Sequence, residues 1–148
     1  GVQHKRLLDF TIPRLAGARR DSGTDIYLAA SQLLLGAAAG YNLLWNVTLR
    51  STAANQFGLL GFGGDRGGRR LVGEGSLAVM PDPHVAVGAE YRQKPDNLSF
   101  ARESHASDLF VAWFPCKHVA LTAAYVSLGP VAGLRDQRGW YVSLQGSL

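Results

Sequence analysis

Apolar residues recur at every second position over much of this chain, a period that fits strands with two unlike faces and does not fit amphipathic helices. From Tyr41 to Arg50 the odd positions are Tyr41, Leu43, Trp45, Val47 and Leu49, against Asn42, Leu44, Asn46, Thr48 and Arg50. The pattern returns over Leu71–Met80, Val85–Arg92 and Trp140–Leu148. It is weaker over Asp25–Leu34, Asp108–Phe114, Val119–Val126 and Val2–Leu8, where Gln3, His4, Lys5 and Arg6 spoil the apolar face. Eight strands are therefore expected.

The links between them alternate in length. Long links are expected at Asp9–Thr24, Ser51–Arg70, Lys94–Ser107 and Gly129–Arg138, and short ones around Gly36–Gly40, Pro81–His84 and Pro115–His118. A soluble sheet gives no reason for all long loops to fall at one end. An outer-membrane barrel does, having short turns on one side and long loops on the other. Lipid offers no hydrogen-bond partners to the backbone, so a spanning sheet must close.

Composition agrees with two unlike faces. Hydrophobic residues make up 47% of the 148 and charged residues only 18%, yet the mean hydropathy is +0.01. Disorder is excluded by the apolar content, and a disulfide scaffold by the single cysteine, Cys116. The net charge of +4 is not gathered in one tract or on one helix, so nucleic acid is not an expected partner. Leu28–Leu49 carries no charge and contains a G-x-x-x-G at Gly36 and Gly40, which makes a transmembrane helix the competing reading of that segment. Gly1 opens directly into strand-like residues, so a leader or further N-terminal strands are expected to precede it.

Several segments resemble an uncharacterised family of proteobacterial proteins taken to be outer-membrane barrels: GLLGFGGDR (Gly58–Arg66), VAVGAEYRQKPDN (Val85–Asn97), DLFVAWFP (Asp108–Pro115) and RGWYVSLQGSL (Arg138–Leu148). The resemblance covers roughly the C-terminal ninety residues and implies a fold and a location but no activity. It also implies a longer family sequence, of which this chain would be the C-terminal part. The ending resembles a barrel-assembly signal, with Leu148 in place of the usual terminal aromatic.

The expected protein is thus a single all-β domain over residues 1–148, an antiparallel up-and-down transmembrane β-barrel of about eight strands, closing alone or within a larger barrel. Its expected place is the bacterial outer membrane, its role structural or porin-like without catalysis or cofactor. Its expected partners are outer-membrane lipid, lipopolysaccharide and the barrel-assembly machinery. Aromatic girdles are expected from Tyr41, Trp113 and Phe114 near the short turns, and from Tyr91, Tyr125 and Trp140 near the long loops.

Alternation points Asp25, Arg50, Glu74, Glu90, Arg92 and Asp108 to one face, as an ion-pair network filling the barrel or as a charged pore lining. His105 and Ser107, with Glu103 and Asp108 beside them, could form a base–nucleophile pair. Their H-x-S spacing is similar to that of the small outer-membrane barrels that deacylate lipid A, which makes a lipid A hydrolase the alternative reading. A soluble barrel binding an apolar ligand is a third, and it requires the inverse placement of charge. His84, Cys116 and His118 lack a metal-ligand spacing and read as polar turns. Gly61–Arg70 fits no phosphate-binding loop and reads as a flexible external loop, whose Arg66, Arg69 and Arg70 are expected to contact lipid phosphates.

Overall fold

The computed structural model describes residues 1–147, so the terminal Leu148 of the assembly-like signal lies outside the described residues. Eight strands form one sheet in the order of the chain, each antiparallel to the next. They are β1 (Val2–Arg6), β2 (Ser22–Ala38), β3 (Tyr41–Thr52), β4 (Arg70–Asp82), β5 (Val85–Arg92), β6 (Ala106–Cys116), β7 (Val119–Val131) and β8 (Leu134–Gly146). The segment weighed as a transmembrane helix is the β2–β3 hairpin, with Leu28 opposite Leu49 and Leu34 opposite Leu43. Among the described residues no helix is long and apolar enough to cross a membrane.

The sheet is up-and-down but does not close on itself. β1 pairs only with Ser22–Ile26, and Gly1 adds a pair of bonds with Tyr27. Beyond Tyr27 the edge of β2 has no neighbouring strand among the described residues, and β8 lies at the other edge of the sheet. The polar run Gln3–Arg6 that weakens the β1 pattern belongs to this short strand.

The turns at one end are tight, as the alternation of link lengths predicts. β2–β3 turns through Ala39 and Gly40 at φ 53° and 94°. Two successive positive φ values match the twist of the flanking strands, and glycine takes the second without a Cβ clash. The expected long link Gly129–Arg138 is different. β7 and β8 run on into a two-residue turn at Ala132 and Gly133, also at positive φ (49° and 86°). Register shifts around Gly129 absorb the extra residues, so Gly129-Pro130 marks a bulge.

Small and polar side chains face the inside of the curl and large apolar ones face out. Asp25, Thr48, Val72, Ala78, Ala86, Ala106, Ala112 and Ala124 are buried on the concave side. Leu28, Leu109 and Leu144 stand 76%, 67% and 74% exposed on the convex side. Trp113 is outward, but Phe114 is not part of a girdle. Neighbouring residues on a strand point to opposite faces, and Phe114 packs inward with Met80 and Phe110 against Ala78, Ala86 and Ala112.

The remaining three long loops are packed, which corrects the reading of Gly61–Arg70 as flexible. The first contains a five-residue helix, α1 (Thr11–Leu15), and the second a 3-10 turn, Asn55–Gly58. Together they form a cap whose buried residues include Phe62 and Leu98, with Ala53 and Ala54 against Phe62. Buried Asn55 and Asn97 join the second loop to the third, Asn97 Nδ2 donating to Asn55 Oδ1 at 3.1 Å. A Cβ on Gly64 would stand 2.2 Å from the Asn97 carbonyl oxygen, so only glycine allows the loops to meet this closely. Gly64→Ala should destabilise the protein by about 1–3 kcal/mol through overpacking, read as a thermal midpoint lowered by on the order of 5 °C. Proteolytic nicking should then concentrate in the Gln93–His105 loop.

Candidate functional site

The concave face carries charge, and the register decides which charges meet. Thr48 lies opposite Glu74 on β3 and β4, and Glu74 opposite Arg92 on β4 and β5. From two residues nearer the loops, opposite Val72, Arg50 reaches Glu74, Nε to Oε1 at 2.7 Å. The second oxygen of Glu74 takes Arg92 Nε at 3.3 Å. Arg50 also reaches Asp25 Oδ2 at 3.7 Å, donates to Gln3 Oε1 at 3.3 Å, and stands 4.8 Å from the centre of the Tyr27 ring. One guanidinium thus bridges two carboxylates, a role for which its planar fork suits it. Asp25 is only 2% exposed, and its Oδ1 has no hydrogen-bond partner among the described residues.

Glu90 and Asp108 face the same side, opposite one another on β5 and β6. They are not joined to the chain of ion pairs. They line a cavity of about 660 Å³ that also touches Asn46, Ser76, Glu74 and Arg92. A second cavity, about 290 Å³, lies toward the loops among Lys5, Asp25, Arg50 and Thr52.

The part of the cap that faces these cavities is the 3-10 turn, whose Phe57 lines both. Gln56 and Phe57 both adopt left-handed backbone, at φ 46° and 60°. For residues with a Cβ this costs about 1–2 kcal/mol each, so the surroundings must hold the turn in place. The Gln56 backbone N–H donates to both carboxylate oxygens of Glu103 at 3.0 Å, and its side chain donates to the Pro130 carbonyl at 3.3 Å. Lys5 Nζ donates to the Phe57 carbonyl at 3.2 Å. The Phe57 ring lies 5.6 Å from the Arg92 guanidinium and 5.7 Å from the Lys94 ammonium.

Lys94 and Glu103 are buried loop charges. Lys94 Nζ donates to the carbonyls of Leu128 and Pro130, at 2.7 and 3.2 Å. Burial pulls its ammonium below the ordinary range, and the charge of Glu103 opposes the shift. Burial pushes Glu103 up from 4.5 to about 7, against the Gln56 hydrogen bond and Lys94, while Asp96 adds to the rise. Glu103 was expected only as a neighbour of His105, and Gln56 and Phe57 carry no periodic signal.

The other expected residues fall elsewhere. His105 lies on the convex side with its ring 5.2 Å from that of Tyr91, and among the described residues no hydrogen bond joins it to Ser107 or to an orienting carboxylate. The loop arginines are engaged within the protein. Arg66 pairs with Asp96 at 3.3 Å, Arg69 donates to the carbonyls of Ser51 and Thr24, and Arg70 donates to Asn97 Oδ1 at 3.3 Å. His84 Nδ1 lies 3.1 Å from Asp82 at the β4–β5 turn, and Cys116 is an exposed free thiol.

Fold and site together define an all-β protein with one up-and-down antiparallel sheet, a charged concave face and a packed cap of loops. The chain belongs to the family described as Protein of unknown function (DUF3034), which matches residues 1–145. The match thus reaches well beyond the segments that carry the resemblance in sequence. No curated protein and no solved structure matches the chain.

Removing Arg50 isolates the buried Asp25 and leaves Glu74 with Arg92 alone. Arg50→Ala should cost about 3 kcal/mol, with Arg50→Lys losing less, both read by chemical denaturation. Glu103 sets a pH dependence. Because its folded-state value of about 7 lies above the ordinary 4.5, its contribution is fully present below the lower value and is lost as pH rises through the higher. The thermal midpoint of the protein should therefore fall relative to Glu103→Gln between about pH 4.5 and 7, and the difference should stay constant above. A difference independent of pH would contradict this.

Proposed function

We propose that this chain forms an integral outer-membrane β-barrel wall, structural or channel-like and without catalysis. The observation that carries the reading is the inverted distribution of side chains. Large apolar residues stand exposed on the convex face, while Arg50 and Glu74 are shielded on the concave one. A soluble barrel binding an apolar ligand needs the reverse. On β3 the outward row Tyr41–Leu49 spans eight residue steps, ~26 Å of strand. Tilted by ~40° this gives an apolar band about 20 Å tall, close to the ~25 Å expected of such barrels. Tyr41 and Trp113 lie outward near the turns, and Tyr91, Tyr125 and Trp140 outward near the loops, Tyr125 and Trp140 in edge contact at 5.3 Å.

The reading requires closure. In lipid the free edges of β8 and of β2 beyond Tyr27 must be covered by strand pairing. β1 runs toward the loops and β8 toward the turns, so an even number of strands keeps every contact antiparallel. Lipid would then meet the convex face, and lipopolysaccharide the loop end near Arg66, Arg69 and Arg70. Assembly machinery would be needed for insertion. The alternative of a lipid A hydrolase has only the shared face of His105 and Ser107 in its favour.

Val111, half-exposed at mid-strand on the convex side, separates the membrane reading from the soluble ones. In a bilayer Val111→Arg should cost about 2–4 kcal/mol, seen as loss of the heat-resistant compact band on a denaturing gel and a lower urea midpoint in liposomes. On a soluble protein an exposed change of this kind stays within about 0.5 kcal/mol. An unchanged midpoint, or a wild-type chain monodisperse without detergent, would overturn the proposal.

A further inference from the structure

The two cavities on the concave face share a partition. The smaller lies toward the loops beside Lys5, Asp25 and Arg50, and the larger runs deeper past Asn46, Ser76, Glu90 and Asp108. Phe57, Glu74 and Arg92 line both. Glu74 and Arg92 are fixed in the wall by their strands and by their ion pair. Phe57 is different, because it descends from the cap and belongs to no strand.

We propose that Phe57 is a gate, whose ring closes the passage from the vestibule under the cap to the deeper chamber and whose displacement admits small hydrophilic solutes from the loop end. The proposal rests on the barrel reading, which supplies the wall that leaves this passage as the route in. Three observations carry it. Of the three residues that line both cavities, Phe57 is the one whose side chain can leave without breaking an ion pair. It is held over the half-exposed Arg92 and the buried Lys94 by cation–π contacts, which position the ring without any hydrogen bond to its side chain. The backbone behind it is strained at two consecutive residues and pinned from outside by Glu103, Lys5 and Pro130, the kind of over-determined segment that accumulates at clamps and switches. The chamber carries three carboxylates, Glu74, Glu90 and Asp108, against the single guanidinium of Arg92, so a small cation is the suitable probe.

Accessibility of a reporter thiol tests the gate. Cys116→Ser removes the native thiol, and Ser76→Cys then reports on the chamber while Gln3→Cys reports on the vestibule. The full chain in liposomes is labelled with a trimethylammonium-ethyl methanethiosulfonate added from the loop side. Gated labelling follows the population of the open form, so Phe57→Ala should speed the reaction at Ser76→Cys about tenfold or more. Phe57→Leu should fall between, and the rate at Gln3→Cys should not change. An unchanged rate at Ser76→Cys, or equal acceleration at both reporters, overturns the gate, the second because it signals a loosened cap. If the chain does not float with liposomes, the barrel reading fails, and the same comparison in detergent-free solution still decides whether Phe57 shields the chamber.

Discussion

A curled sheet that turns its polar row inward must neutralise charge where it stands, and here the Arg50 guanidinium does so. It sits between Glu74 at 2.7 Å and Asp25 at 3.7 Å, and among the described residues no other cation is paired with Asp25. Without it the buried Asp25 would be left with no cation and Glu74 with Arg92 alone, and an uncompensated buried charge is strongly destabilising. Because Glu74 takes Arg92 on its other oxygen, the same interaction ties β3 to β5 across β4. The Arg50–Asp25 end ties in β2 and, through Gln3, the short β1. Five strands are thus cross-linked on their inner face by one continuous set of polar contacts.

The cap depends on that arrangement and adds its own. Its loops bury amides and charges as well as apolar side chains, so each buried group needs a specific partner. Asn55 donates to the carbonyls of Leu60 and Gly63 and accepts from Asn97. Glu103 satisfies the Gln56 N–H, and Lys94 satisfies two carbonyls of β7. A loop held by Glu103 of the third loop, Lys5 of β1 and Pro130 of β7 can keep a left-handed pair such as Gln56 and Phe57, which isolated chain would relax. The strain is therefore local, and the contacts that hold it are distributed over a loop and two strands.

The alternation over Tyr41–Arg50 and over Leu71–Met80 is a local property, and β3 and β4 were legible from it, as were the short links around Gly36–Gly40 and at Pro81–His84 from the segments that interrupt it. The shared face of Asp25, Arg50 and Glu74 was legible for the same reason. Their pairing was not, because it needs the register that sets Arg50 opposite Val72, two residues from Glu74. The β7–β8 turn was hidden by Gly129-Pro130 and by Arg135, Asp136 and Arg138, which read as loop chemistry. In the structure they occupy a bulge and the exposed extension of a hairpin. The cap was hidden more thoroughly. Its decisive contacts join Asn55 to Asn97 and Gln56 to Glu103, 42 and 47 residues apart, and no periodicity connects them. α1 also lacked a side-chain cap and has proline at its third position.

What the inner face lacks is as informative as what it holds. Toward the turns the polar row gives way to Ala78, Ala86 and Ala112, covered by Met80, Phe110 and Phe114. Small residues on the wall and large ones folded over them let the strands curl tightly at that end. Gly88 takes this furthest, since a Cβ there would stand 2.7 Å from the Phe110 ring. The concave face is therefore graded along its length: strained loop and cation–π contacts at the top, ion pairs and unbridged carboxylates in the middle, an apolar floor at the bottom. In the proposed barrel such a gradient would make the loop end the way to Glu90 and Asp108, with the Phe110 ring packed beyond them toward the turns.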